Sequence, residues 1–147
     1  MNISKAMKKL KKLKNRSSTI GAKISKHNRT LTEKDHIYEV EDLIKEYKTV
    51  TDEIVSTKLA IMKANVDSGN YELILRIGEL KGFRSVLDNV DTSSGIDEEA
   101  MRYGSSEKIE YKAQISEKKM EEIVTVLEEE IEGHIDTLDE FNAKTTI

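Results

Sequence analysis

A seven-residue repeat of apolar side chains opens the chain, and it constrains the fold more than any other feature. One slot of this repeat holds Ile3, Leu10, Ser17, Ile24 and Leu31, and the other holds Ala6, Leu13, Ile20 and His27. A spacing of 3.5 residues over four heptads is typical of a coiled-coil seam. The repeat predicts a helix over residues 3–28, about 38 Å long at 1.5 Å per residue, with Asn2 or Ser4 as its N-cap.

The repeat resumes in a second segment, which predicts a helix over residues 36–65 with Thr32 or Asp35 as its cap. Polar residues replace isoleucine toward its end, as at Asn65. Such a residue either fixes the register or oligomer number at a cost in stability, or marks an end that faces a polar cavity. The two slots hold Ile37, Ile44, Thr51, Lys58 and Asn65, and Val40, Tyr47, Ile54 and Ile61; Leu43, Val50 and Met62 widen the stripe, which predicts two neighbouring helices.

Two further helices are predicted over residues 71–89 and 117–141. A turn at residues 67–70 precedes the first, and Ser116 can cap the second. Arg84 lies within the apolar stripe of the third helix, where a charge must pair, reach water or bind an anion. The simplest partner is an acid of the same protein. The stripes are Leu73, Ile77, Leu80, Arg84 and Leu87 in the third helix, and Met120, Val124, Leu127, Ile131, His134, Leu138 and Phe141 in the fourth.

Between these helices, residues 91–115 predict a loop followed by a short strand. Apolar side chains alternate with polar ones from Ile109 to Ile115, which is the period of a half-buried strand. A single strand needs a ladder partner. The candidates are the C-terminal segment 144–147 and the same strand of a second subunit.

Composition supports a mainly α fold: one domain over residues 1–147 made of long antiparallel helices, a helical bundle or coiled coil with a short β-strand element. The chain is 37% apolar and 35% charged and has no proline, against about 45–50% and about 25% in an average domain. Long solvent-exposed helices leave much apolar surface uncovered unless they associate. We therefore expect a homo-oligomer.

Charge is strongly polarised along the chain. Residues 1–34 hold eleven Lys/Arg and one acid, whereas residues 116–141 hold ten Asp/Glu and two lysines. The basic segment can attach to nucleic acid or a membrane surface. The favoured interpretation is that two helices of opposite charge lie against each other or against a neighbouring subunit. No apolar run approaches the roughly 20 residues of a membrane span, no signal-peptide pattern is present, and cysteine is absent. We expect a cytoplasmic protein, in the host cytoplasm if a phage encodes it.

No motif predicts catalysis, a cofactor or a metal site, and the three histidines are scattered. The strongest candidate is a ligand-binding set rich in guanidinium groups and hydroxyls, which recognise phosphate, and tyrosines, which can stack on a base. In the alternative interpretation, Arg102 and Arg84 pair with Glu107 or Asp97 and hold the loop onto the third helix. The set comprises Arg102, Tyr103, Ser106, Arg84, Ser105, Lys108, Lys81, Arg76, Tyr111 and Asn65.

Several of these segments resemble a family of small helical proteins of bacteria and phages, sometimes named septicolysin. The likeness covers nearly the whole chain and is sharpest at Arg102-Tyr103 followed by Ser106-Glu107 and a strand, which resembles the family's Arg-Tyr-x-x-Ser-Glu-Ile element; here Lys108 is inserted before Ile109. The resemblance implies a helical bundle with a small β element and self-association. It also rests on the basic opening, on IMKAN at residues 61–65, on an internal Arg and Lys in the third helix, and on Asn142 and Thr145-Thr146.

Two functions follow as hypotheses. The first is a non-enzymatic oligomeric binding protein that holds a small anionic or nucleotide-like ligand where subunits meet. In its sharpest form, a phage protein sequesters a host signalling nucleotide. The second is a structural or adaptor coiled coil that binds a protein partner.

Overall fold

The computed structural model describes residues 1–98, 102–104 and 108–147. Within these ranges the chain is mainly helical and has one two-stranded sheet, which confirms the predicted class. The chain is divided into two compact units. The first unit comprises Met1–Tyr71 and Leu138–Ile147, and the second unit comprises Glu72–Thr137. The elements are α1 (Ile3–His27), α2 (Val40–Asp67), α3 (Asn70–Asp88), β1 (Gly95–Ile96), β2 (Glu110–Tyr111) and α4 (Glu117–Lys144).

In the first unit, α1 and α2 form an antiparallel hairpin. Lys9 Nζ lies 3.9 Å from Glu53 Oε2, and Arg16 Nη2 lies 2.6 Å from Glu46 Oε1. From Lys9 to Arg16 the chain advances seven residues along α1, while their partners step back seven residues along α2, from Glu53 to Glu46. The two helices are therefore antiparallel. Between the helices lies an apolar core formed by Leu13, Ile20 and Val50 with the half-buried Ile24, Leu43 and Ile54.

The apolar face predicted for α1 is buried, although Leu31 lies beyond the helix and is 70% exposed, whereas the face predicted for α2 needs correction. Ile3, Ala6, Leu13 and Ile20 are buried, as their heptad slots predict. On α2 the predicted slot members Ile44, Thr51 and Lys58 are exposed, and Val50 is the most buried residue at 1% exposure. Adjacent helical residues are about 100° apart, so a face centred on Leu43, Val50 and Ile54 turns Ile44 away from α1.

The segment that leads into α2 stays non-helical to Glu39, three residues beyond the predicted start at His36. Neither Thr32 nor Asp35 is the cap; Glu39 takes that position in extended conformation, without a side-chain bond. The later start of α2 is explained by Tyr38, because this residue packs against the end of α1. Its ring packs edge-on against His27 at 4.8 Å, and Lys23 Nζ lies 4.8 Å from its centroid.

Asn2 closes the first unit by joining the start of α1 to the end of α4. Its Oδ1 accepts from Lys5 N at 2.9 Å, and its Nδ2 donates to Ala143 O at 2.9 Å. Its backbone forms an antiparallel bridge with Thr146. The side chain therefore satisfies a donor at one helix end and an acceptor at another.

In the second unit, the strand predicted over residues 109–115 is confined to Glu110–Tyr111. Its partner is β1, with Gly95 opposite Tyr111 and Ile96 opposite Glu110. The expectation that segment 144–147 pairs with this strand is thus wrong, because that segment contacts Asn2 instead. Pairing with the strand of a second subunit stays a prediction. The ladder ends because Ser94 Oγ, rather than a strand carbonyl, accepts from Ala113 N at 2.9 Å.

The remaining helices bury the predicted stripes. Ile77 of α3 is buried, and so are Met120, Leu127 and Ile131 of α4. The other members of both stripes that lie in this unit are half-buried. Ser116 Oγ accepts from Lys119 N at 3.1 Å, which confirms the predicted cap of α4.

Candidate functional site

The predicted ligand-binding set is centred on Arg102 and Tyr103, and both are exposed. Tyr103 is 90% exposed, and Gly104 follows it with a positive φ of 79°. Ser105 and Ser106 lie outside the described residues, as does Glu107. For this part of the set, ligand binding stays a prediction.

Arg84 is engaged within the protein. Its guanidinium donates to Glu128 Oε1 at 2.9 Å and also to Asp88 Oδ1. The hydrogen bond that Arg84 donates to Asp88, followed by the one that it donates to Glu128, raises the pKa of Arg84. The prediction that an acid of the protein partners this charge is confirmed, and the bond to Glu128 connects α3 to α4.

A cavity of about 260 Å³ beside Arg84 has an acidic lining. Asp88, Glu117 and Glu121 contribute carboxylates to it, and Leu87, Met120 and Val124 contribute apolar surface. A bound anion would face three negative groups, while the one arginine is already paired with two carboxylates. This electrostatic environment disfavours an anionic ligand.

The other predicted members are dispersed over the second unit. Arg76 Nη2 donates to Glu72 Oε1 at 2.9 Å, one helical turn away. Lys81 and Lys108 are exposed. Tyr111 lines a second cavity, of about 400 Å³, with Asp91, Asp97 and Glu98 among its other lining residues. That cavity is acidic as well.

Asn65 belongs to the first unit and is buried, with 5% exposure. Its Oδ1 has no hydrogen-bond partner in the described part of the chain, and the same holds for Oδ1 of the buried Asn142. The nearby end of α2 lines a cavity of about 490 Å³, to which Asn65 does not contribute. For Asn65 too, ligand binding stays a prediction.

A different surface stands out: a stripe of exposed apolar side chains on α2, which we call the α2 stripe. It consists of Val55, Leu59, Met62 and Val66, which are 50–55% exposed. Their spacing of four, three and four residues places them on one helix face, away from the buried Val50 and Ile54. Of these, sequence reasoning singled out only Met62, as evidence for two neighbours. One neighbour is α1, and the residues that the structure describes leave this second face more than one-third exposed.

A second exposed stripe, the α3 stripe, lies on α3. Leu75, Phe83 and Val86 are 50–62% exposed. They lie on the side opposite the buried Ile77, close to Gly82 and the exposed Glu79. Sequence reasoning missed this stripe because the buried stripe of the same helix explained the pattern.

Other classes of site receive no support from the described residues. Among them no three His, Asp or Glu side chains are grouped to hold a metal ion. His27 contacts Tyr38, and His36 Nε2 lies 2.6 Å from Glu39 Oε1. No helix in the described ranges combines the length and the apolar run needed to span a lipid bilayer.

Comparison of the chain with protein-family models, with curated proteins and with solved structures finds no match. The resemblance to the small bacterial and phage helical proteins therefore stays a prediction.

Proposed function

We propose that the protein is a non-enzymatic helical binding protein that associates with further copies of itself through exposed helix faces. The observation that supports this is the α2 stripe, whose members Leu59 and Val66 are each 55% exposed on a helix already packed against α1. A helix with two apolar faces is typical of one that contacts two neighbours. Contiguous exposed apolar side chains mark interaction surfaces more often than scattered ones do.

The energetics favour an interface built from two stripes. Complete burial of one such side chain contributes about 1.5–3 kcal/mol. Because each is half-exposed in the monomer, roughly 1 kcal/mol per side chain is available on association. Association costs at least about 4 kcal/mol in lost translational and rotational freedom. One stripe of four side chains only equals this lower bound, whereas two stripes together exceed it.

Analytical ultracentrifugation of wild type and Leu59→Glu tests this function. We expect a wild-type mass above the 16.7 kDa of one chain and a monomeric variant, because the glutamate would be buried without a partner. Leu31→Glu is the matched control, since Leu31 is 70% exposed in the connection between α1 and α2. A monomeric wild type, or equal dissociation by both variants, would contradict the proposal.

A second candidate function is capture of a small anionic ligand at the loop. It is supported by the exposure of Arg102 and Tyr103, neither of which pairs with a described residue. A thermal-shift screen of nucleotides tests it, with Arg102→Ala as the variant and Arg76→Ala as the control. Absence of any shift, or an equal shift in Arg102→Ala, would count against this candidate.

A further inference from the structure

The two compact units carry opposite net charge. The first unit contains sixteen Lys/Arg and eleven Asp/Glu, a net charge of +5; the second contains eight Lys/Arg and seventeen Asp/Glu, a net charge of −9. The α2 stripe lies in the first unit and the α3 stripe in the second. Each stripe therefore belongs to a unit whose net charge favours a partner of opposite sign.

The charges next to the stripes repeat this difference locally. Lys58 and Lys63 flank the α2 stripe, and no acid occurs between Val55 and Val66. On the α3 stripe, Glu79 lies between Leu75 and Phe83, and Arg76 is already paired with Glu72. Neither lysine, nor Glu79, forms an ion pair with a residue that the structure describes. An apolar contact between the stripes would bring cations opposite an acid.

The stripes also match in length. Val55 and Val66 are eleven residues apart, and so are Leu75 and Val86, so each stripe extends about 16 Å along its helix. Gly82 adjoins the α3 stripe, and a Cβ added there would meet no atom within 4 Å. The glycine leaves room for a second helix to approach.

From this charge and shape complementarity we infer that copies of the chain dock head-to-tail, with the α2 stripe of one copy on the α3 stripe of the next. The inference deepens the proposed function and rests on it. A symmetric contact between two α2 stripes would place two units of charge +5 together, which is unfavourable. Head-to-tail contact brings the first unit of one copy, with a net charge of +5, against the second unit of the next copy, with a net charge of −9. Repetition of such a contact produces a ring or an open filament.

A mixing experiment tests the direction of docking. Leu59→Glu disables the α2 stripe and Val86→Glu disables the α3 stripe; both positions are more than half exposed, so the fold is retained, which circular dichroism checks. We expect each variant alone to be monomeric. Mixed one to one, they should form a 1:1 dimer that cannot extend, detected by native mass spectrometry with one variant isotope-labelled.

The outcomes separate the two proposals. If Leu59→Glu is monomeric but Val86→Glu assembles like wild type, copies associate symmetrically; head-to-tail docking is overturned and the proposed function stands. Two monomeric variants that form no mixed dimer also overturn it. If both variants assemble like wild type, or wild type is monomeric, the proposed function itself fails.

Charge exchange within the mixed dimer tests the electrostatic argument. Lys63→Glu on the copy with the intact α2 stripe, or Glu79→Lys on the copy with the intact α3 stripe, should each weaken the dimer roughly fivefold. Together they should recover most of the affinity. Lys26→Glu, which changes the charge of the same unit far from the stripe, should have a smaller effect. Failure of the double exchange to recover affinity would overturn the pairing of these charges.

Discussion

Each of the two compact units is stabilised internally by its own set of contacts. In the first, buried side chains from α1 and α2 meet in one core around Leu13, Ile20 and Val50. In the second, Ile77, Met120, Leu127 and Ile131 are buried as well, Arg84 bridges α3 to α4 through Glu128, and a two-residue ladder joins β1 to β2. Both units therefore bury apolar side chains and carry ion pairs between helices, and they differ in how a connecting segment is held: by the ring of Tyr38 against His27 in the first, and by a backbone ladder and the Ser94 hydroxyl in the second.

The largest effect is expected from a cavity in the core of the first unit. Ile20 is 4% exposed, so Ile20→Ala should lower the free energy of unfolding by about 2–5 kcal/mol. Ile37→Ala is the control, because Ile37 is 74% exposed and its truncation should cost less than about 0.5 kcal/mol. Urea unfolding in the Leu59→Glu background measures both without a contribution from association. Equal losses of stability in Ile20→Ala and Ile37→Ala would contradict the assignment of Ile20 to the core of the first unit.

Asn65 should reveal the cost of a polar group in the first unit. Since its buried Oδ1 lacks a partner among described residues, Asn65→Leu should raise the free energy of unfolding by roughly 1–3 kcal/mol. Asn15→Leu, on the exposed surface of α1, should change it little. The same urea experiment decides: a destabilised Asn65→Leu would show that the amide has a stabilising role.

The contacts of Asn2 are expected to contribute somewhat less to the free energy of unfolding than the changes at Ile20 and Asn65. Asn2→Ala removes the cap of α1 and the bond to Ala143, and should cost about 0.5–2 kcal/mol. Asn2→Ser retains a capping oxygen but no longer donates to Ala143, so its stability should lie between those of wild type and Asn2→Ala. If Asn2→Ser equals Asn2→Ala, the cap contributes nothing.

Breaking the arginine bridge should affect the second unit by a few degrees. Arg84→Gln removes ion pairs to two acids, one of them on another helix, whereas Arg76→Gln removes one pair within a single helical turn. We therefore expect a larger fall in Tm for Arg84→Gln in differential scanning calorimetry. The difference should shrink at 1 M NaCl because salt screens exposed charges. A larger fall for Arg76→Gln would contradict the assigned bridge.

The smallest effect is the pH dependence of the loop. Hydrogen bonds from Ser93, that of the hydroxyl first, lower the pKa of Asp91. A carboxyl whose pKa is lowered by folding stabilises the protein above its ordinary pKa of about 3.9, and that contribution is lost as the pH falls through the lowered value. NMR titration of the carboxyl carbon should show this shift. Ser93→Ala should reverse most of it, and Ser94→Ala should not.

Much of the helical structure could be predicted from the sequence, because local periodicity determines it. The slots of α1 identified Ile3, Leu13 and Ile20 as buried. On α2 the same reasoning placed Ile44 in the heptad slot and Leu43 beside it. The two residues are adjacent and both apolar, so only the packing against α1 decides between them. Periodicity predicts that a helix has an apolar face, but the partner selects which side chains form it.

The site and the sheet were less predictable because their contacts connect distant residues. Nothing in the sequence identifies Glu128 as the partner of Arg84, 44 positions away, although an acidic partner was expected. Gly95–Ile96 is too short to show a strand period. The α2 stripe is visible in the sequence as a spacing of four, three and four, but whether another element covers it depends on the whole fold.

The contacts of Asn2 have a practical consequence for redesign of the chain. Ile147 N donates to Met1 O at 2.8 Å, so residues 1 and 147 lie side by side. A linker of a few residues could join them, and the chain could be reopened in the exposed connection near Leu31. Circular permutants made in this way would carry fusion partners at the connection between α1 and α2.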